Sequence, residues 1–112
     1  MLLCILSMDI YNEIQLDFSR ENFQKVIEWG ASPDSSPHSH QAIAAWCERF
    51  WDKYSEINAP KEIEEIMPLL SEIETEWDIY VAHYKEQHPG SVTSSPRLPP
   101  EYFNKWLSQA NA

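Results

Sequence analysis

From Ile63 to Tyr84 the apolar residues Ile63, Ile66, Leu70, Ile73, Trp77, Tyr80 and Tyr84 recur at alternating steps of three and four. That is the period of an α-helix with one apolar edge. Between Glu62 and Asp78 the same stretch holds seven carboxylates and no basic residue. A helix apolar along one edge and negative elsewhere must bury that edge against another element. The whole chain has two glycines, which leaves few places for tight hairpins, so the covering elements are expected to be helices as well. The expected fold is all-α, a compact bundle of about four helices.

The first region runs from Asp9 to Trp29. Ile10 and Ile14 share a helical face, which predicts a short helix and then a break at Asp17 to Ser19. Ile14, Leu16 and Phe18 also alternate, so a short strand over 13–18 is the competing reading. Ser19 is placed to cap a longer helix, with Glu21 in its first turn, Phe23, Val26 and Ile27 on its apolar face, and Gly30 as its C′ stop. Residues 30–39 are turn formers throughout and read as a surface loop. Ser39 caps a second helix from His40 to about Ile57, with the stripe Ile43, Trp46, Cys47, Phe50, Tyr54 and Ile57, widened by Trp51.

Asn58-Ala59-Pro60 connects to the third helix, with Asn58 as cap and Pro60 in the first turn. This helix extends from about Pro60 to Gln87, with Pro68 inside it. Proline removes the bond to the Glu64 carbonyl and kinks the helix. The stripe keeps its phase across Pro68, which lies nearly opposite the stripe centre, so one long bent helix is expected rather than two. His88-Pro89-Gly90 ends it. Residues 89–100 are a linker rich in Pro and Ser. Pro99-Pro100-Glu101 opens a short last helix, whose Tyr102, Phe103, Trp106 and Leu107 dock on the core. Short connections favour antiparallel neighbours. At 112 residues, 1–112 is expected to be one helical domain. Residues 1–8 read as a disordered or packed extension, or as a misassigned start ahead of Met8.

Composition narrows the partners. The net charge is −10 and the pI about 4.6. Phosphate backbones and anionic membranes both demand Lys and Arg, so neither direct nucleic-acid binding nor membrane binding is expected. A basic protein partner suits the charge, and plain solubility is the simpler explanation of it. Cys4 and Cys47 are the only cysteines, too few for a disulfide framework. The apolar start MLLCIL is too short for a membrane span and has no basic flank, so a cytoplasmic location is expected.

Catalytic chemistry finds little support. His38 and His40 sit close together, but His83 and His88 are remote, and no Cys-x-x-Cys or His-Glu-x-x-His accompanies them. No metal site is expected; the loop pair His38 and His40 reads as solvent-exposed, and His88 as a residue at a helix C-terminus facing the dipole. Glu62-Ile-Glu-Glu65 resembles the first half of the Mg²⁺ motif of all-α nucleoside triphosphate pyrophosphatases, which leaves a Mg²⁺-dependent hydrolase as a remote alternative. The second half is absent, since Glu74 and Asp78 lie four apart on the same helix. There is no Gly-x-Ser-x-Gly and no phosphate-cradling glycine loop, so no cofactor and no catalytic residue is expected. On the helical wheel Glu64, Glu65, Glu72, Glu76 and Ile79 point away from the stripe and form the expected partner-binding face. The expected function is a small, acidic, non-enzymatic interaction protein, of adaptor, inhibitor or immunity type, that binds a basic partner. A homodimeric structural subunit is the alternative.

Overall fold

The computed structural model describes residues 13–87 and 97–111. The readings made above on residues 1–8, Met8, Cys4, Ile10, His88 and most of the linker fall outside this range. The helices are α1 (Arg20–Ala31), α2 (His40–Tyr54), α3 (Lys61–Glu64), α4 (Met67–Gln87) and α5 (Pro100–Ala110). Among the described residues there is no strand; α3 and α4 together form one rod over 61–87, bent by 33°, and the chain is the expected all-α bundle. α1 packs mainly along α5 and α2 along α4, and a smaller α1–α2 seam joins the two pairs.

Local signals start the first two helices where expected. The Ser19 side chain accepts from Asn22 N–H at 3.1 Å and the Ser39 side chain from Ala42 N–H at 3.2 Å. Each satisfies one of the donors a helix N-terminus leaves over. Pro60, not Asn58, is the N-cap of α3, and it makes no side-chain capping bond. α2 ends at Tyr54, so Ile57 lies beyond the helix and is 58% exposed.

The bend falls where Pro68 requires it. The helical ladder is interrupted at residues 65–66, where Ile66 N–H turns to Ile63 O at 3.0 Å, a tighter i−3 bond. Pro68 then occupies the first turn of α4, where a missing N–H leaves no bond unmade. Ile63, Ile66, Leu70 and Ile73 are buried across the elbow, so the apolar edge is continuous although the hydrogen bonding is not. Trp77, Tyr80 and Tyr84 are only half-buried.

Residues 13–18 are neither helix nor strand, and the part of the expected short helix around Ile10 lies outside the described residues. Ile14 is buried, Leu16 and Phe18 are half-buried, and Gln15 and Asp17 are exposed, which is the period-2 pattern of an extended chain. No strand pairs with it among the described residues. Side chains of α2 bind its carbonyls instead: Trp46 Nε1 donates to Leu16 O and Arg49 Nη2 to Ile14 O, both at 3.1 Å. Phe18 packs on Trp46 and Phe50, with ring centroids 5.6 and 5.1 Å apart. Over residues 13–18 these side-chain bonds stand in place of a backbone ladder.

Gly30 is not the C′ stop. α1 continues through it to Ala31, and Ser32 is the C-cap. Gly30 is buried, and a Cβ built there would run into Cδ1 and Cε1 of the Phe103 ring. The residue is glycine so that α5 can press an aromatic ring onto the α1 backbone. Gly30→Ala should therefore destabilise the protein by about 1–3 kcal/mol, although alanine is the better helix former. Urea unfolding checks this, and Phe103→Leu should recover part of the loss in the double variant.

Candidate functional site

The five residues expected to form the partner face do not share one fate. Glu64 and Ile79 are exposed and Glu76 is half-exposed; neither Glu64 nor Glu76 makes an ion pair among the described residues. Ile79 is 49% exposed. Glu65 is exposed and Glu72 half-buried, and both are engaged by side chains of other elements, so neither is an unpartnered carboxylate of that face.

Glu65 Oε1 accepts from Arg20 Nη1 at 2.8 Å. The same guanidinium reaches Glu62 O at 3.3 Å and, through Nη2, Ala110 O at 2.6 Å. Arg20 thus joins the start of α1 to the elbow of the bent rod and to the end of α5. A cation at that last carbonyl also meets the negative end of the α5 dipole. Glu72 accepts from the indole Nε1 of Trp106 and lies 3.5 Å from Lys105 Nζ. Trp106 is fully buried, so its N–H needs this acceptor. The helical wheel put Glu72 opposite the stripe without knowing that α5 would pack on that flank.

A different set of carboxylates comes together. Glu48 and Asp52 are one turn apart on α2, and Glu74 and Asp78 are one turn apart on α4. The packing of α2 along α4 brings the two pairs close enough that Glu74 senses all three others. Burial raises the Glu74 pKa, and the charges of Glu48, Asp78 and Asp52 raise it further. None of the four has a cation partner among the described residues. The nearby cations of α2 face the other flank. Arg49 Nη1 pairs with Glu13 at 3.1 Å, and Lys53 Nζ lies over the rings of Phe18 and Tyr54. The signal was present in sequence as two acidic i, i+4 pairs beside the apolar stripes of α2 and α4. The helical wheel of the third helix selects Glu64, Glu65, Glu72 and Glu76 for the outer face and leaves all four of these carboxylates out of it.

Other candidate chemistry is limited. Among the described residues no group of three or more His, Cys, Asp or Glu side chains could hold a metal ion. Glu65, half of the Mg²⁺-like motif, is held by Arg20. His40 is buried rather than exposed, with Nε2 3.0 Å from Gly30 O and Nδ1 2.8 Å from Leu98 N. Cys47 is fully buried, and desolvation pushes its thiol pKa far upward, so it packs as a small apolar group rather than acting as a nucleophile. No helix among the described residues is long and apolar enough to cross a membrane. No protein family, curated protein or solved structure matches the chain.

Charge reversal should separate the bound carboxylates from the free ones. Glu72→Lys strands the buried indole N–H and faces Lys105 with a like charge, so it should cost about 1–3 kcal/mol. Glu64→Lys and Glu76→Lys should stay within about 0.5 kcal/mol of the parent. Denaturant midpoints measured at equal salt check the contrast.

Proposed function

We propose that this chain is a small acidic, non-enzymatic interaction protein, of adaptor, inhibitor or immunity type, that receives a basic protein partner on the flank shared by α2 and α4. The observation that carries this reading is the convergence of Glu48, Asp52, Glu74 and Asp78 with no cation among them. Like charges one helical turn apart destabilise a helix by a few tenths of a kcal/mol per pair. The arrangement also raises the free energy of ionised Glu74. Lysines or arginines of a partner would relieve both. Long-range attraction would speed the encounter, and the half-exposed Trp51 and Met67 would supply apolar contact near the charges. Glu64 and Glu76 add negative charge elsewhere on the same rod, and the exposed Ile79 adds an apolar group.

The reading makes two effects of one variant opposite in sign. Replacing Glu74 and Asp78 together by Lys should stabilise the free protein, because the new cations face Glu48 and Asp52. The same variant should slow partner association by about tenfold or more at low salt. The measurement is capture from cell lysate with both proteins, at low and at raised salt, beside their melting curves. A basic protein recovered by the parent, weakened by salt and lost with the variant is the expected result. Equal recovery by parent and variant overturns the reading.

A second reading rests on the far half of α4. There Trp77, Tyr80 and Tyr84 continue the apolar edge but are only half-buried, and Ile79 is exposed beside them. Self-association along that stretch makes the chain a homodimeric subunit. Sedimentation at micromolar concentration distinguishes the two: a dimer dissociated by Trp77→Ser with Tyr80→Ser favours this reading, and a monomer removes it.

A further inference from the structure

His40 uses both ring nitrogens, and the direction of each bond follows from its partner. Leu98 N–H can only donate, so Nδ1 accepts at 2.8 Å and carries no proton. The ring proton is then on Nε2, which donates to Gly30 O at 3.0 Å. The imidazole is 2% exposed and lies against the Phe103 ring, with centroids 4.6 Å apart. One neutral ring thus joins the end of α1, the start of α2, the chain entering α5, and α5 itself.

We propose that His40 is an acid-operated latch on the C-terminal helix, in which a proton taken up at Nδ1 removes the acceptor of Leu98 N–H and lets residues 97–110 leave α1. The proton comes from solvent and no other bond is made or broken covalently. The imidazolium keeps its Nε2–H bond to Gly30 O, but its Nδ1–H then faces the Leu98 N–H, two donors without an acceptor. Release of α5 removes both Leu98 and Phe103 from the ring, so the charged form regains water. Gly30, left uncovered by Phe103, becomes accessible with it.

The surrounding charges act in the same direction. α1 offers the ring a carbonyl, α5 an aromatic face, and the segment before α5 the Leu98 amide and the Arg97 guanidinium. Arg97 is paired with Asp34 of the α1–α2 loop at 3.5 Å, an exposed contact that leaves its charge largely in place. Burial lowers the His40 pKa below its ordinary 6.5, the Gly30 bond opposes this, and Arg97 lowers it further. The docked state therefore favours neutral His40. Docking is strongest above the ordinary histidine value and weakens as pH falls from there toward the lowered one. Within that window the docked-to-released ratio falls by up to about tenfold per pH unit.

Hydrogen exchange of the full chain tests the latch, with rates corrected for the intrinsic effect of pH. From about one unit above to about two units below the ordinary histidine value, amides of Leu98 and α5 should lose protection while those of α2 and α4 keep theirs. His40→Asn, which keeps an acceptor for Leu98 N–H and does not titrate in this range, should hold α5 protection flat with pH. Should that variant fail to fold, the imidazole ¹⁵N shifts of the parent decide: Nε2–H at neutral pH, and titration in step with loss of α5 protection. Protection of α5 that stays constant while His40 titrates overturns the proposal. So does loss that spreads equally to α2 and α4, which is general unfolding, or an unchanged pH response in His40→Asn.

Discussion

The fit of α5 against the C-terminal end of α1 closes one of the bundle's two helix pairs, and His40 ties that pair to the start of α2. Three residues distant in the chain meet there: Gly30 has no side chain, Phe103 fills the space this leaves, and His40 hydrogen-bonds the backbone on either side. The other features of this end follow from that approach. Leu98 is drawn into the core, Trp106 is buried beside Phe103 in an edge-on contact of 5.2 Å, and Glu72 is recruited as the indole's acceptor. Dispersion and ring packing act only at short range, so a single methyl group at position 30 would loosen all of these contacts together.

The opposite end is secured by charge on backbone. Arg20 and Arg49 both bind carbonyl oxygens that no helix or sheet ladder has claimed, and each also pairs with a carboxylate. A guanidinium suits this work because its donors are fixed in one plane and can serve several acceptors at once. With eight cations to eighteen acidic residues, cations engaged in such ties are not available to neutralise the remaining carboxylates. The unpaired quartet on α2 and α4 is thus partly a consequence of how the chain ends are held.

Periodicity and capping made much of this legible in the sequence. Ser19, Ser39 and Pro100 mark helix starts by local chemistry, and the stripe through Ile63, Ile66, Leu70 and Ile73 carries its phase across Pro68 because side-chain direction depends on spacing alone. What could not be read depends on neighbours far along the chain. Gly30 has the same local signature whether it stops a helix or receives a ring. Residues 13–18 satisfy two periods at once, and contacts from α2 decided between them. Glu72 and Glu65 lie on the polar side of their own helix and only become structural once α5 and α1 arrive. His40, read as an exposed loop residue, is enclosed by segments that lie ten and fifty-eight positions away.

The bond from Arg20 to Ala110 spans ninety positions, and it has a consequence for synthesis. α5 emerges from the ribosome after every other described element, so α1 is made with the surface around Gly30 uncovered, and it stays so until residues 97–110 arrive. A nascent chain in this condition presents an apolar cleft to its surroundings while α2 and α4, whose partners are close in sequence, can already be paired. Docking of α5 therefore covers this cleft and ends the period in which the described elements are most prone to aggregate. The dense negative charge of the earlier segments keeps neighbouring nascent chains apart during that interval.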